Sequence, residues 1–240
     1  GYSQERALTS PHPNYQGWSD ARIQHDASRL EASGIKKVYV RMSPRDVRDE
    51  RRIARLDKFA GKIPASVKVV LLLDCEGMNY AAFETFLDRF AALNLQRHPS
   101  YVTSARQPLL LIENAIALKL VSHPAVRIQS KKWSPAPMLA ENSKYLAGAK
   151  RDYDADEIVL AAGKCQGTGP AFEVNWTVKR RDGKTLTVAM AAANRLSPAW
   201  IVIDSWNDFR NGSFIEPNAF DGSTVLDAVQ KAITGVRAER

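Results

Sequence analysis

Cysteine is scarce. Cys75 and Cys165 are the two thiols of this 240-residue chain. They stand ninety positions apart with no CxxC spacing, which excludes a disulfide scaffold and a zinc ribbon and leaves room for one disulfide. The four histidines, His12, His25, His98 and His123, are scattered, and no HxH or HExxH pattern offers a metal site. No apolar run reaches the roughly 18 residues that a membrane-crossing helix needs. GxGxxG, the P-loop pattern and GxSxG are all missing, which sets aside dinucleotide-binding, nucleotide-phosphate and serine-hydrolase chemistry. No cofactor is expected. The residues after Gly1 carry no charged segment followed by an apolar one, so the start is compatible with a removed signal, a fragment or a cytoplasmic chain.

What is present is enough to build a core. At 26.7 kDa, 45% hydrophobic and 25% charged residues can bury one large core or two small ones. With no repeat, low-complexity tract or linker, residues 1–240 read as a single domain. The net charge of +8 is concentrated: residues 36–68 hold eleven bases against four acids. Ile53, Leu56, Phe59 and Ile63 recur there at helical spacing, so a surface helix with a solvated basic face is one reading. The other is a docking surface for an acidic glycan, a membrane surface or nucleic acid. No zinc-finger spacing or RNA-binding aromatic motif accompanies it, and nucleic acid is not an expected partner.

Apolar, β-branched runs at Val38–Val40, Val67–Leu73, Leu109–Ile112, Val126–Ile128, Ile158–Ala161 and Trp200–Ile203 predict strands, with Arg6–Ser10 as a further candidate. Helical patterns at Asp20–Ser33, Tyr80–Asn94 and Thr224–Thr234 alternate with them. That alternation predicts an α/β fold with a mostly parallel sheet, and the length suits a (β/α)8-type TIM barrel, complete or distorted. Within 172–190, the alternation of Val174, Trp176 and Val178, an Asp182-Gly183 turn, then Leu186 and Val188 predict a β-hairpin insertion. Ala189–Leu196 reads as helix, and Trp200, opening a strand, is expected to be buried.

In such a barrel, chemistry collects after the carboxyl ends of the strands. Asp74-Cys75-Glu76-Gly77, Glu113-Asn114, Gly163-Lys164-Cys165-Gln166 and Asp204-Ser205-Trp206-Asn207-Asp208 occupy those positions. Facing carboxyl groups are what glycoside hydrolysis needs, about 5 Å apart for a nucleophilic mechanism and roughly 6.5–9.5 Å when water must fit between. Asp74 and Glu113 also have a structural reading, as helix caps or ion-pair partners. Trp18, Trp133, Trp176, Trp206, Tyr80 and Phe209 fall in loops or near strand ends, where an aromatic face suits a sugar ring. Cys75, between Asp74 and Glu76, reads as a small packing residue with its thiolate disfavoured.

The segment Ser205-Trp206-Asn207-Asp208-Phe209-Arg210-Asn211-Gly212-Ser213-Phe214-Ile215-Glu216-Pro217-Asn218 resembles the last-strand motif of glycoside hydrolase family 99 and the WbsX-like group, roughly WNEWxEGxxIEP, and is similar to the WNDY-type segments of family 71. Trp206, Asn207, Gly212, Ile215, Glu216 and Pro217 carry the match. Asp20–Ile35 and Ser197-Pro198-Ala199-Trp200 resemble the approaches to other strands more loosely. The resemblance implies a barrel acting on glycans, with the motif's first acid at Asp208. The position of the second acid, which acts in family 99 as general acid and base, holds Asn211, which cannot transfer a proton in that role. Either another carboxylate, from Glu216, Glu113, Asp74 and Glu76, replaces it, or the site binds without cleaving. Glu216 also has a structural reading, capping loop amides before Pro217. Arg210 suits an anionic sugar or the support of Asp208 as a carboxylate.

The expected function is therefore hydrolysis of a polysaccharide or oligosaccharide, with Asp208, Glu216, Glu113 and Asp74 as candidate catalytic carboxylates. Trp206, Asn207, Arg210, Asn211, Glu76, Asn114 and Trp133 are the candidate substrate-binding residues. The alternative is a non-catalytic glycan-binding domain of a larger polysaccharide-handling protein. The expected partner is a glycan, with an anionic one suiting the basic balance, and the setting secreted or periplasmic.

Overall fold

Short polar side chains start the helices and apolar stripes hold them. In the computed structural model, which describes residues 19–115, 122–137, 143–146, 148–152, 154–166, 175–208, 213–219 and 221–238, helix α1 (Asp20–Ala32) opens on Ser19, whose hydroxyl accepts from the Arg22 amide. Strand β1 (Lys37–Met42) leads to α2 (Glu50–Lys62), capped by Asp49, and β2 (Lys68–Asp74) leads to α3 (Tyr80–Ala92), capped by Asn79. Each helix buries one stripe: Ile23, Ala27 and Leu30; Ile53, Leu56, Phe59 and Ala60; Phe83, Phe86, Leu87 and Phe90. The three phenylalanines of α3 stack in sequence, 6.4 and 5.7 Å between ring centroids, and Tyr101 continues the row 6.3 Å from Phe90.

The described residues divide into two compact units, within 18–132 and 133–240. In the first unit β1, β2, β4 (Gln107–Glu113) and β5 (Arg127–Ser130) run parallel in that order, and the short β3 (Thr103–Ser104) turns back antiparallel onto β4. Val69, Leu71, Leu73, Leu110 and Ile112 make one fully buried face. The opposite face carries Tyr39, Val70, Leu72, Leu109 and Leu111, packed together, and ends in polar groups.

In the second unit β11 (Trp200–Asp204) pairs parallel with β8 (Glu157–Ala161), followed antiparallel by β7 (Lys150–Asp152) and β6 (Trp133–Pro135). Helix α4 (Ser143–Leu146) lies between β6 and β7 in sequence, α5 (Lys184–Asn194) between β8 and β11, and α6 (Thr224–Ala238) closes the described chain. Two small antiparallel pairs complete it: β9 (Lys164–Gln166) with β10 (Asn175–Val178), and β12 (Asn207–Asp208) with β13 (Ser213–Phe214).

All six expected strands form, and the three expected helices with them. Arg6–Ser10 lies outside the described residues. Among the described residues the fold is α/β with parallel sheet, and the strands do not close into a ring, which is consistent with an incomplete barrel.

Two expectations are corrected. The hairpin of 172–190 does not form: β10 pairs back with β9, and Leu186 and Val188 lie in α5. Residues 172–174 lie outside the described residues. Leu186, Ala189, Met190, Ala192 and Ala193 share the buried side of α5, and this longer helical period outweighs a two-residue alternation. The Asp182-Gly183 turn opens a helix instead, with Gly183 at φ +83° as N-cap. Trp200 is 44% exposed, at the start of a strand that among the described residues pairs with β8 alone.

Candidate functional site

In-register parallel pairing brings the last residues of neighbouring strands side by side on one face. Asp74 at the end of β2 is the ladder partner of Glu113 at the end of β4. Arg41 lies one residue before the end of β1, opposite Leu72, two positions before Asp74 and hence on the same face. Its guanidinium spans both acids, with Nη2 3.1 Å from Asp74 Oδ2 and 2.6 Å from Glu113 Oε1. The two contacting oxygens are therefore no more than about 6 Å apart.

Burial grades the three groups. Glu113 is 7% exposed at its side chain, Asp74 18% and Arg41 59%. A carboxylate as deep as Glu113 needs a counter-charge, and Arg41 supplies it from the solvent side. The other oxygen of Asp74 accepts from Asn114 Nδ2 at 3.0 Å and from the Glu76 amide at 3.1 Å. The Cys75 amide donates to the Glu113 carbonyl at 2.9 Å, which ties the two strand ends together. Asn114 has φ +56°, a conformation that asparagine tolerates better than most residues.

Behind the carboxylates sits a cation-rich aromatic. Tyr39 has the ammonium groups of Lys37 and Lys131 5.1 and 5.2 Å from its ring centroid. Lys131 follows β5, its amide donating to the Ile112 carbonyl at 2.7 Å, and its residue is buried. Cys75 is a buried free thiol, pushed up to about 12 by burial and by the negative charges of Asp74 and Glu113. A thiol in that state packs and does not attack.

The motif segment lies in the second unit. The Glu216 and Ile215 amides donate to the Trp206 carbonyl at 2.8 and 3.1 Å, and the Ser205 hydroxyl donates to the Ser213 carbonyl at 2.9 Å. The peptide between Asp204 and Ser205 is cis. Trp206 and Asn207 are half-buried, and the Trp206 indole N–H is buried without an acceptor among the described residues. Glu216 is fully buried. Arg180 locks the segment: it donates to Asp221 Oδ2 from Nε at 2.9 Å and from Nη2 at 2.6 Å, to the Phe214 carbonyl at 2.8 Å, and stacks on the Phe214 ring at 3.8 Å. Both members of that ion pair are buried.

Of the residues singled out from sequence, Asp74, Glu113 and Asn114 come together, with Glu76 attached through its backbone. Trp206 and Glu216 share the second cluster, and Asn207 opens β12. Trp133, half-buried, opens β6. Of Asp208 only the backbone is described, in β12, and Arg210 and Asn211 lie outside the described residues, as do Trp18 and Phe209. Sequence reading missed Arg41 and Lys131. The signal was there for Arg41, a base near the end of a strand whose neighbours end in acids. Among the described residues no group of His, Cys, Asp and Glu could hold a metal ion, and no helix is long and apolar enough to cross a membrane.

No family model matches the chain, and no curated protein does. Solved structures match. The chain is similar to the GH99 endo-alpha-mannosidase from Bacteroides thetaiotaomicron, with TM-score 0.66 and 13% identity over 97% of this chain and 85% of that one. The same enzyme in complex with BIS-TRIS-propane matches with TM-score 0.66 and 13% identity, over 97% and 89%. At this identity the likeness shows the fold: a glycosidase-like α/β architecture of the GH99 kind.

Proposed function

We propose that the chain is a glycoside hydrolase acting on a polysaccharide or an oligosaccharide. The observation that supports this most is the pair Asp74 and Glu113, in register at the carboxyl ends of adjacent parallel strands, on a glycosidase-like fold. In this reading the catalytic carboxylates come from Asp74 and Glu113 at the strand ends of the first unit and from Asp208 and Glu216 in the motif segment. In the first unit Asp74, Glu76 and Asn114 are the groups that take sugar hydroxyls, and in the second the Trp206 indole N–H, Trp133, Asn207, Arg210 and Asn211 are the candidate contacts. A carboxylate pair needs one member protonated and one ionised to split a glycosidic bond. A polysaccharide substrate goes with a secreted or periplasmic setting.

Two observations favour a second reading, a glycan-binding domain without turnover: Asn211 stands where the resemblance places the second acid, and Arg41 holds both strand-end carboxylates. One experiment separates them. Wild type, Asp208→Asn and Glu113→Gln are incubated with neutral and acidic polysaccharides and new reducing ends are followed by mass spectrometry. Hydrolysis by wild type, falling by about 10³-fold in each variant with glycan retention intact, is the expected result. Glycan retention with no product from any form would replace the hydrolase by the binding domain.

A further inference from the structure

The loop of residues 43–49 follows the carboxyl end of β1, so it stands at the same end of the sheet as Asp74 and Glu113. Its acids are engaged by its own fold. Asp46 accepts from the Ser43 amide at 2.9 Å and the Ser43 hydroxyl at 2.7 Å and pairs with Arg52. Asp49 caps α2, accepting from the Arg51 amide at 2.9 Å, and is reached by Arg52 at 3.6 Å. Buried Val47 anchors the loop. The remaining bases are left outside: Arg45, Arg48 and Arg51 are exposed, and among the described residues no carboxylate pairs with their guanidinium groups.

This differs from a basic stripe spread along a solvated helix. Farther along α2, Lys58 pairs with Asp20, and Asp57 is claimed by Arg97. Arg55, one turn farther on, has no carboxylate partner among the described residues either, so the unpaired guanidinium groups of this stretch run from the loop through the first turns of α2, starting at the strand-end side. At that side Tyr80, opening α3 after the β2–α3 loop, is 53% exposed. Guanidinium forks match carboxylate and sulfate oxygens, and an exposed ring suits the apolar face of a sugar. The neighbouring Asp74, Glu76 and Glu113 would repel a phosphate chain that offers few donors. They suit a chain that carries hydroxyl donors between its anions.

We infer that the glycan this face takes is acidic, its sugars bearing carboxylate or sulfate groups that Arg45, Arg48 and Arg51 engage, with Tyr80 stacking on a ring. This rests on the glycan-active reading of the same strand ends and names the substrate class.

Calorimetric titrations with matched polymers test it: polygalacturonate against its methyl ester, dextran sulfate against dextran, and duplex DNA, on wild type and the Arg45→Gln/Arg48→Gln/Arg51→Gln variant. The expected result is about tenfold or greater preference for at least one charged polymer over its uncharged counterpart, erased in the triple variant, with DNA weaker. The pair that shows the preference distinguishes carboxylate from sulfate. Equal binding of charged and uncharged forms, or a preference that survives the substitutions, overturns the inference and leaves the glycan reading standing. DNA binding as tight as the charged polymer makes the patch a nucleic-acid surface and overturns it as well. Absence of binding to every sugar polymer removes the inference and the glycan reading together.

Discussion

Cys75 shows how one position records the charge around it. Its thiol lies next to two carboxylates and inside the fold, and burial first, then Asp74 and Glu113, raise it to about 12 from 9.0. The fold therefore favours the protonated thiol, a contribution fully present below pH 9.0 and lost as pH rises toward about 12. The expected outcome is that the native chain resists iodoacetamide at Cys75 at pH 8 and is alkylated there once urea unfolds it, read by peptide mass spectrometry. Rapid alkylation of the folded chain would mean that Cys75 is not buried beside the strand-end carboxylates. The acid-amide runs at 74–76 and 113–114 were legible because strand ends can be read from where an apolar run stops. Arg41 was not, because its importance comes from the β1–β2 and β2–β4 registers, and a register belongs to two segments at once. Glu216 shows the converse. Its place in a motif left it open between a catalytic carboxylate and a structural cap of loop amides, and the packing under Arg180 and Phe214 encloses that segment.

At the scale of elements, long apolar patterns were reliable and short pairings were hidden. β2 and β4 announce themselves through runs of Val and Leu, whereas β6, β7, β9, β12 and β13 are two or three residues long and exist only through their partners. The 172–190 misreading has the same origin: Val174, Trp176 and Val178 alternate, but only a distant segment at 164–166 decides what 175–178 pair with. Gly183 is then explained by the helix it opens. At φ +83° a side chain is strained, and a Cβ there would lie 2.8 Å from the Ala228 Cβ of α6. Gly183→Ala is therefore expected to destabilise the chain by about 1–3 kcal/mol, seen as a lower urea midpoint at unchanged slope. In a hairpin with a type I′ turn the same substitution would meet only the φ penalty, so a loss no greater than that penalty of about 1 kcal/mol would argue against the α5–α6 packing.

At the scale of the whole molecule, the described titrating groups that are both shifted and at least partly buried fall in residues 18–132. His25 is lowered by burial and by Arg29. Asp46 is lowered on balance: burial raises it, and its hydrogen bonds from Ser43 together with Arg52 outweigh that. Cys75 is raised, and Tyr101, in the aromatic row with Phe90, is raised by burial. The signs give a plateau. The His25 contribution is complete above its ordinary 6.5 and is lost as pH falls through its lower folded value, because the buried ring must then be charged. Asp46 follows below 3.8. On the alkaline side the Cys75 contribution declines above 9.0 and that of Tyr101 above 10.0. Stability should thus be greatest between about pH 6.5 and 9, and both flanks should belong to the parallel unit. Hydrogen-exchange protection, corrected for the intrinsic rate, checks this by segment: from pH 7.5 to 5, peptides of 18–132 should lose protection while those of 133–240 hold theirs. Loss shared equally by both segments would show that acid sensitivity is set by the chain's net charge of +8, whose self-repulsion grows as carboxylates protonate and acts on the molecule as a whole.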